Sequence, residues 1–303
     1  MSLTGTLIVI TGPTGSGKTA IAIKLAQALQ CHILSADSRQ IYRDMPIGTA
    51  APTADQLSAA PHHFVGTLPL DAYYSAAQFE ADVLSLLPSL WQQSPYAILC
   101  GGSVMYIDAV VRGIDAMPTI TPQVRQRVID LHEQLGREGL LALLEISDPD
   151  YYHKADLANT RRVMHALEVT LQAGQPYSSL CTGARAQRPF AISQYAIDVP
   201  RDTLFSRINA RVADMVEAGL VDEARRLLPY RHLNALNTVG YKELFAYFDG
   251  IMDYDTAIAR IAKNTRVYAK KQLTMLAKER PELRRVSPDT ALSTILADLA
   301  AER

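Results

Sequence analysis

The fold of this chain is decided by residues 7–19, which read Leu7-Ile8-Val9-Ile10-Thr11-Gly12-Pro13-Thr14-Gly15-Ser16-Gly17-Lys18-Thr19. The first five residues are apolar and mostly β-branched, which is typical of a buried parallel strand. After the loop, Ile21, Leu25 and Leu29 recur every four residues, and this spacing predicts a helix. A strand, a glycine-rich loop and a helix form the context of the phosphate-binding motif G-x-x-x-x-G-K-S/T, which residues 12–19 match in full.

The chemistry of this loop explains its residue types. Glycines let successive backbone N–H groups turn toward phosphate oxygens, and the N-terminus of the next helix adds a partial positive charge. Lys18 supplies a full positive charge, and the Thr19 hydroxyl is placed to bind Mg²⁺. The motif therefore predicts a phosphate ligand, but it does not identify the rest of that ligand.

One absence argues against a nucleotide hydrolase. Such enzymes commonly end an apolar strand with an Asp that holds Mg²⁺, whereas the apolar segment 96–100 ends in Cys-Gly-Gly. The acid that does follow an apolar segment is Asp37, directly after residues 32–36. Asp37 is thus predicted to lie at the carboxyl end of a strand beside the phosphate loop, where α/β sheets place their ligands.

The alternation of strands and helices predicts an α/β fold. Strands at 7–11, 32–36 and 96–100 are separated by helical patterns, one of them opened by a capping box of Ser75 and Gln78. This order predicts a parallel sheet flanked by helices, and together with the phosphate loop the core resembles that of the P-loop nucleotide kinases. From about residue 117 only helical patterns appear until a strand near 192–199, so we predict an all-helical insertion domain at 116–200. The core is predicted to comprise 1–115 and 201–303, with a basic helical C-terminal part.

Composition limits the location and the partners. The chain has 303 residues, 48% of them hydrophobic, and no run of about 20 apolar residues, so we expect a cytoplasmic protein without a membrane span. Its three cysteines are odd in number and far apart, which argues against a disulfide framework. The net charge of −1 hides an asymmetry, because residues 1–120 carry 5 Lys/Arg against 8 Asp/Glu and residues 201–286 carry 16 against 11. That asymmetry indicates a basic surface in the C-terminal part.

A set of further motifs makes the sequence specific. In chain order they are Ser35-Ala36-Asp37-Ser38-Arg39-Gln40-Ile41-Tyr42, Ile47-Gly48-Thr49-Ala50, Pro61-His62-His63, Tyr74-Ser75, Gly101-Gly102-Ser103-x-x-Tyr106, Arg161-Arg162, Ala166-Leu167-Glu168-Val169 and Val239-Gly240-Tyr241-Lys242. Together with the phosphate loop, this set closely resembles the bacterial tRNA dimethylallyltransferases, also called tRNA isopentenyltransferases. The resemblance extends from about residue 7 to about residue 275.

The resemblance implies a reaction. Members of that family transfer a dimethylallyl group from dimethylallyl diphosphate to the exocyclic N6 amine of the adenosine 3′-adjacent to the anticodon in tRNA, and they release pyrophosphate. The phosphate loop would then hold a prenyl diphosphate with Mg²⁺, and the partner would be a tRNA anticodon stem-loop. We expect the enzyme to act as a monomer.

By the same resemblance, the catalytic residues are Asp37 as the base, Ser103 near the reacting amine, and Lys18 and Arg211 at the diphosphate. An adenine amine is a poor nucleophile, so a carboxylate that removes its proton would accelerate transfer. Fixed cations would neutralise the leaving pyrophosphate. Diphosphate binding is assigned to Gly12, Pro13, Thr14, Gly15, Ser16, Gly17, Lys18, Thr19, Arg207 and Arg211.

The resemblance also assigns residues to tRNA. An adenine must leave the stacked anticodon loop before it can react, and its edge must then be read. The tRNA-binding residues so implied are Asp37, Ser38, Arg39, Gln40, Ser103, Arg125, Arg161, Arg162, Val163, His165, Val239, Gly240, Tyr241, Lys242 and Glu243. A basic stripe on the last long helix is expected to follow RNA phosphates; it consists of Arg260, Lys263, Arg266, Lys270 and Lys271.

Residue patterns alone leave alternatives open. Asp37 could equally be a Mg²⁺-binding acid of an ATP site, and Ser103 could simply cap a helix. Prenylation of free adenine nucleotides, a metabolite kinase and a non-catalytic RNA-binding ATPase are the competing functions. The sequence also departs from the family pattern, with Ala51 in place of a common Lys, His165 in place of a common Arg and Met275 in place of a common Trp. The first two departures reduce the charge available to RNA.

Overall fold

A six-stranded parallel sheet forms the centre of the larger of two compact units. The computed structural model describes residues 5–183 and 185–301. The strands are β1 Thr6–Thr11, β2 Ile33–Ala36, β3 His62–His63, β4 Tyr96–Gly101, β5 Ala191–Ile197 and β6 Arg284–Val286. Their order in the sheet is β3-β2-β4-β1-β5-β6, and every pairing is parallel. The predicted α/β fold with a parallel sheet is confirmed.

Helices cover both faces of this sheet. Those of the larger unit are α1 Lys18–Leu29, α2 Ala54–Ala59, α3 Ala76–Leu90, α4 Val104–Arg112, α9 Arg201–Glu217, α10 Leu220–Leu227, α11 Tyr241–Phe248, α12 Tyr254–Glu279 and α13 Ala291–Ala301. Alternate side chains of β1 point to opposite faces. Ile8 and Ile10 pack with α1, α9 and α13, whereas Leu7 and Val9 pack with α3 and α4. The apolar run in the sequence is continuous because both faces of β1 are buried.

The functional edge of the sheet is formed where three strands end side by side. Gly101, the last residue of β4, pairs with Ala36 on β2 and with Thr11 on β1. A Cβ atom at Gly101 would lie only 2.1 Å from the carbonyl oxygen of Ala36. The backbones of β2 and β4 therefore meet at a distance that glycine alone permits. The phosphate loop, Asp37 and Ser103 all leave the sheet at this edge.

The smaller compact unit spans Arg112–Gln187 and is helical. Its helices are α5 Pro122–Ser147, α6 Pro149–Lys154, α7 Thr160–Ala173 and α8 Tyr177–Leu180. Gly136 interrupts α5 with φ 65°, so the chain bends there between two helical segments. The buried Asp148 caps α6 by accepting the N–H of Tyr151, and it also accepts both the N–H and the hydroxyl of Ser178 in the first turn of α8.

The predicted boundaries of the insertion differ from those of this unit. The sequence placed the end of the insertion at 200, but β5 (Ala191–Ile197) pairs with β1 and belongs to the central sheet. The sequence indicates the strand near 192–199, but not its partner β1, which lies 185 residues earlier in the chain (Thr6 pairs with Ala191). The predicted core limits 1–4 and 302–303 lie outside the described residues.

Two short strands escaped the sequence analysis. β3 and β6 contain two and three residues, too few for an alternating pattern, and each lies at an edge of the sheet. The capping box of Ser75 and Gln78 is confirmed at the start of α3. No helix in the described part of the chain is both long enough and apolar enough to cross a membrane.

We expect Gly101→Ala to lower the free energy of unfolding by about 1–3 kcal/mol, because the new methyl group would force β2 and β4 apart. Urea denaturation measures this loss. Gly250→Ala is the comparison variant, because a Cβ there would meet nothing within 4 Å and only the φ of 72° opposes it. A loss for Gly101→Ala no larger than the loss for Gly250→Ala would show that the close approach at Gly101 is not a constraint.

Candidate active site

The phosphate loop connects β1 to α1 and has the backbone geometry its sequence predicts. Gly15 and Gly17 adopt left-handed conformations, with φ of 81° and 90°, which turn the chain into a cradle at the start of α1. The Lys18 ammonium lies across the loop and donates to the carbonyl oxygen of Pro13 at 2.7 Å. Among the described residues, the buried hydroxyl of Ser16 has no hydrogen-bond partner. A loop with an unpaired buried donor is suited to an anionic ligand.

Helix α9 supports this loop and borders it with an arginine. A Cβ at Gly15 would lie 3.0 Å from the Ile208 side chain, so the loop rests directly on α9. One residue earlier on the same helix, an Arg207 guanidinium nitrogen lies 3.8 Å from the position that a Cβ of Gly17 would take. Arg207 thus lies beside the phosphate loop, and its contact with a diphosphate stays a prediction.

A group of charges surrounds Lys18. Burial lowers the pKa of Lys18 to about 8; nearby Cys100 and Asp37 raise it, and Arg211 lowers it. Burial also lowers the pKa of Arg211, while Asp37 opposes that shift. Lys18, Arg211 and Asp37 are therefore near enough to interact electrostatically. Burial raises the pKa of the Cys100 thiol to about 11, so this cysteine is neutral near pH 7.

Asp37 directly follows β2 and is held in one orientation. Its Oδ1 atom accepts the backbone N–H groups of Arg39 at 2.9 Å and Gln40 at 3.2 Å, as in an Asx turn. Among the described residues, the other carboxylate oxygen, Oδ2, has no hydrogen-bond partner. One oxygen thus orients the side chain and the second can accept a proton from a ligand.

Ser103 joins the loop after β4 to the loop after β2. Its hydroxyl oxygen accepts the N–H of Ser38 at 3.0 Å, and the hydroxyl donates to Ser38 Oγ at 3.3 Å. The Ser103 carbonyl accepts the first backbone bonds of α4, from Tyr106 and Ile107. Ser103 accordingly opens α4, while its side chain fixes the segment that carries Asp37.

Gln40 has a different role from the one that its position in the pocket segment predicted. Its amide nitrogen donates to the carbonyl oxygens of Thr49 and Ala50, at 3.1 and 3.0 Å. Arg211 also donates to Ala50, at 3.0 Å. Both side chains hold the turn at 49–50, so the Gln40 amide is engaged with protein rather than available to a base edge. Arg39 donates to the carbonyl of Asn234 at 2.9 Å.

The segment 239–243 is divided between surface and core. Lys242 is exposed, but Tyr241 is completely buried and donates to Glu223 at 2.7 Å. The buried Glu223 also accepts the N–H groups of Ile47 and Gly48, which shapes the same turn. Glu243 caps α11 by accepting the N–H of Gly240. The predicted RNA contacts of Tyr241 and Glu243 are therefore wrong for their side chains, which are committed to the fold.

In the helical unit, α7 presents three of its four predicted residues at the surface. Arg161, Arg162 and His165 are exposed. Val163 is only 1% exposed and packs in the core of the unit, so the prediction that its side chain contacts RNA is wrong. Arg125 on α5 lies 3.6 Å from Glu168, which is also 3.8 Å from His165.

The basic stripe on α12 is largely at the surface. Arg260, Lys263, Lys270 and Lys271 are exposed. Arg266 is partly buried and donates to the side chain of Asn209 on α9. Four of the five cations thus remain directed to solvent, as the amphipathic pattern predicted.

Two residues of α12 near the site were missed by the sequence analysis. Tyr268 is 46% exposed, and its pKa is raised by partial burial and by the Asp37 charge, which places its ring near the proposed base. Gln272 is buried, accepts the N–H of Thr14 and donates to the carbonyl of Gly102. A Tyr and a Gln in a basic amphipathic helix carry no signal in the sequence, because only the packing of α12 brings them to the site.

Comparison with known proteins identifies the family. A family model described as IPP transferase matches residues 40–279 of the chain. The chain belongs to the IPP transferase family. An IPP transferase relative, tRNA dimethylallyltransferase 1 of Phocaeicola vulgatus, is 49% identical over 275 residues, which cover 91% of this chain and 92% of that protein. The predicted family resemblance is confirmed, and with it the assignment to a family of prenyl-transferring enzymes.

Solved structures of IPP transferases share the fold. The tRNA isopentenylpyrophosphate transferase of Bacillus halodurans is 30% identical, with a TM-score of 0.71, and the match covers 98% of this chain and 96% of that one. A eukaryotic dimethylallyltransferase, described as acting on tRNA, is 23% identical, with a TM-score of 0.83 and coverage of 99% and 80%. The latter likeness concerns the fold alone.

The lowered pKa of Lys18 predicts how diphosphate binding depends on pH. Below pH 8 Lys18 is charged in the free protein, so its proton does not affect affinity. Above pH 8 a proton must be taken up to form the ammonium that binds the anion, so affinity should fall by about tenfold per pH unit. Calorimetric titration with dimethylallyl diphosphate between pH 7 and 9.5 measures the profile.

Lys18→Arg is the control for this profile, because a guanidinium stays protonated throughout the range. Its affinity should be nearly constant from pH 7 to 9.5. If both proteins gave the same slope, the titrating group would be another residue or the ligand, and Lys18 would not be the pH-dependent contact.

Proposed function

We propose that this chain transfers a dimethylallyl group from dimethylallyl diphosphate to the exocyclic N6 amine of the adenosine 3′-adjacent to the anticodon in tRNA, with release of pyrophosphate. One observation carries the proposal. The phosphate loop, Asp37 and Ser103 leave adjacent strand ends at one edge of the sheet, and Asp37 interacts electrostatically with Lys18 and Arg211. A carboxylate beside a cationic phosphate cradle is the combination that this transfer needs.

The donor diphosphate is assigned to the phosphate loop. Its glycines, the N-terminus of α1 and the Lys18 ammonium offer donors to the phosphate oxygens, with Arg207 and Arg211 beside them. As the bond to the prenyl carbon breaks, negative charge accumulates on pyrophosphate. Preorganised cations at that position lower the barrier, because they need no reorganisation during the reaction.

The Thr19 hydroxyl is the protein ligand that we propose for Mg²⁺ at the phosphate loop. The described residues contain no cluster of three or more His, Cys, Asp or Glu that could hold a metal, so protein ligands alone would not bind the ion. Mg²⁺ commonly completes its coordination with substrate phosphates and water, which suits a single threonine hydroxyl at the start of α1. When bound, the ion supplies further neutralisation of the diphosphate.

Asp37 is proposed to act as the base on the acceptor side. The lone pair of an adenine amine is delocalised into the ring, so removal of a proton as the new C–N bond forms makes the nitrogen a better nucleophile. Oδ1 is fixed by two backbone N–H groups, which leaves Oδ2 to take the proton. Ser103, hydrogen-bonded to Ser38 beside Asp37, is proposed to contact the same amine.

The tRNA partner is supported by basic surfaces on each unit. Exposed cations are available at Arg161 and Arg162 on α7 and along α12. Such side chains contact RNA phosphates and position the loop without reading its sequence, so binding should weaken steeply with salt. Lys242 is proposed as a further contact. A tRNA substrate implies that the protein acts in the cytoplasm, and we propose that it acts as a monomer.

One assay tests the function. Labelled dimethylallyl diphosphate and unmodified tRNA are incubated with the protein, and the nuclease-digested RNA is analysed by mass. Label in an adenosine of the anticodon loop is expected. Label only in added free adenine nucleotide would support the alternative function, prenylation of free nucleotides. Phosphate transfer from ATP without any prenyl transfer would exclude prenylation of either tRNA or free nucleotides.

We expect Asp37→Asn to reduce prenyl transfer by ~10²–10⁴-fold, because the amide can still accept the N–H groups of Arg39 and Gln40 but cannot remove a proton. Single-turnover transfer measures the rate, and calorimetry measures the affinity for dimethylallyl diphosphate. The exposed acid Asp44 offers a control in the same segment, and Asp44→Asn should leave both quantities unchanged. A parallel loss of donor affinity and rate in Asp37→Asn would instead make Asp37 a Mg²⁺ ligand or a structural residue.

A further inference from the structure

Glu223, a buried acid in the first turn of α10, holds the backbone turn that Arg211 also contacts. Its side chain is only 1% exposed. Its Oε2 atom accepts the N–H of Ile47 at 2.9 Å, and its Oε1 atom accepts the N–H of Gly48 at 2.7 Å. Oε1 also accepts the Tyr241 hydroxyl at 2.7 Å. Both oxygens of this carboxylate are therefore engaged, and each one holds a turn that lies far earlier in the chain.

This turn contains a backbone conformation that needs support. Ala50 has a φ of 49°, in the left-handed region that residues other than glycine rarely adopt. The N–H of Ala50 donates to the carbonyl of Ile47, and the N–H of Ala51 donates to the carbonyl of Pro46, both at 2.9 Å. Because a left-handed alanine is unfavourable by itself, the contacts around the turn must maintain it, and Glu223 supplies two of them.

The carbonyl of Ala50 connects the turn to the active site. It accepts Arg211 Nη2 and Gln40 Nε2, both at 3.0 Å. The backbone N–H of Gln40 in turn donates to the Asp37 carboxylate at 3.2 Å. A guanidinium has further N–H donors, so Arg211 can bond to Ala50 and still present donors to an anion. The direction of this one carbonyl thereby determines where the Arg211 charge lies.

Gly48 shows how tightly the turn packs against its support. A Cβ at Gly48 would lie 2.4 Å from the hydroxyl oxygen of Tyr241 and 2.4 Å from its ring. The backbone of Gly48 has no positive φ, so the approach of Tyr241 is the constraint on this residue. Since Tyr241 is completely buried, the turn cannot shift without displacing a core side chain.

We propose that Glu223 is a positioning residue for the diphosphate site: it holds the turn whose Ala50 carbonyl orients Arg211. Glu223 itself does not contact the ligand. Arg211 is partly buried and interacts electrostatically with Lys18 and Asp37, so a displacement of its charge changes the field at the leaving pyrophosphate. The inference rests on the proposed function for the assignment of Arg211 to the diphosphate.

The test is a double-mutant cycle on the binding of inorganic pyrophosphate, titrated calorimetrically into the whole chain at constant free Mg²⁺. Glu223→Gln places an NH₂ group against an N–H donor of the turn, so the turn loses a contact. Affinity should fall by about tenfold, the scale of one hydrogen bond. Arg211→Met removes the guanidinium and should lower the affinity by at least as much. In the Arg211→Met protein, Glu223→Gln should have almost no further effect, because both residues act through one contact.

Asp148→Asn is the matched control for a loss of stability. Asp148 is 0% exposed and, like Glu223, its carboxylate accepts three hydrogen bonds, here from Tyr151 and Ser178. Asp148→Asn should lower the free energy of unfolding, as Glu223→Gln does, because each leaves a buried N–H or O–H donor without an acceptor. It should leave the affinity for pyrophosphate unchanged.

Gly48→Ala provides an independent variant, because its methyl group would displace the turn from Tyr241 without altering Glu223. It should also lower the affinity for pyrophosphate, and it keeps the proposal falsifiable if Glu223→Gln fails to fold. Wild-type affinity in the folded variants, Arg211→Met included, would overturn the proposal. Equal losses from Glu223→Gln with and without Arg211, or an equal loss in Asp148→Asn, would also overturn it and leave Glu223 as a structural residue only.

These measurements need neither tRNA nor a prenyl group, so they are separable from the test of function. A wild-type protein that transfers no prenyl group but shows the coupling between Glu223 and Arg211 would refute the proposed function and retain the positioning role. Prenyl transfer without that coupling would retain the function and refute the role of Glu223.

Discussion

The site depends on the parallel pairing of β2, β4 and β1 at their carboxyl ends. Their last residues pair through Gly101, where the carbonyl of Ala36 comes so close that no side chain can be accommodated. Because parallel strands end at the same edge, three loops separated by tens of residues start from neighbouring strand ends. The phosphate loop, the Asp37 segment and the Ser103 loop owe their proximity to this register.

Around this edge, further side chains hold the loops in place. Gln40 and Arg211 both donate to the turn at 49–50, and Glu223 accepts N–H groups of the same turn. Gln272 joins the phosphate loop to Gly102. Each is a buried or partly buried polar group with identified partners, so it restricts its loop to one arrangement. A preorganised site of this kind can direct fixed charges at a leaving diphosphate without moving them.

The sequence predicted strands β1, β2 and β4 of the sheet well, because each is a largely apolar segment that ends at a glycine or a polar residue. Long helices such as α5 and α7 repeat their apolar residues at helical spacing, and both were recognised. The edge strands β3 and β6 were missed because two or three residues contain no period. The boundary of the insertion was placed too late, since the pairing of β5 with β1 is a long-range contact that no local pattern expresses.

For the site, the sequence by itself determined the chemistry. The motif at 12–19 specified a phosphate cradle, and the set of motifs around Asp37 indicated the family, because these features depend on residue types at short, fixed spacings. Only the tertiary structure decided which side chains are available to a ligand. Val163, Tyr241 and Gln40 lie in the expected segments, but their side chains are buried or bonded to protein, whereas Gln272 reaches the phosphate loop from 258 residues away. Packing among distant segments determines which side chains are buried and which hydrogen-bond partners they have, and a local sequence pattern contains no information about either.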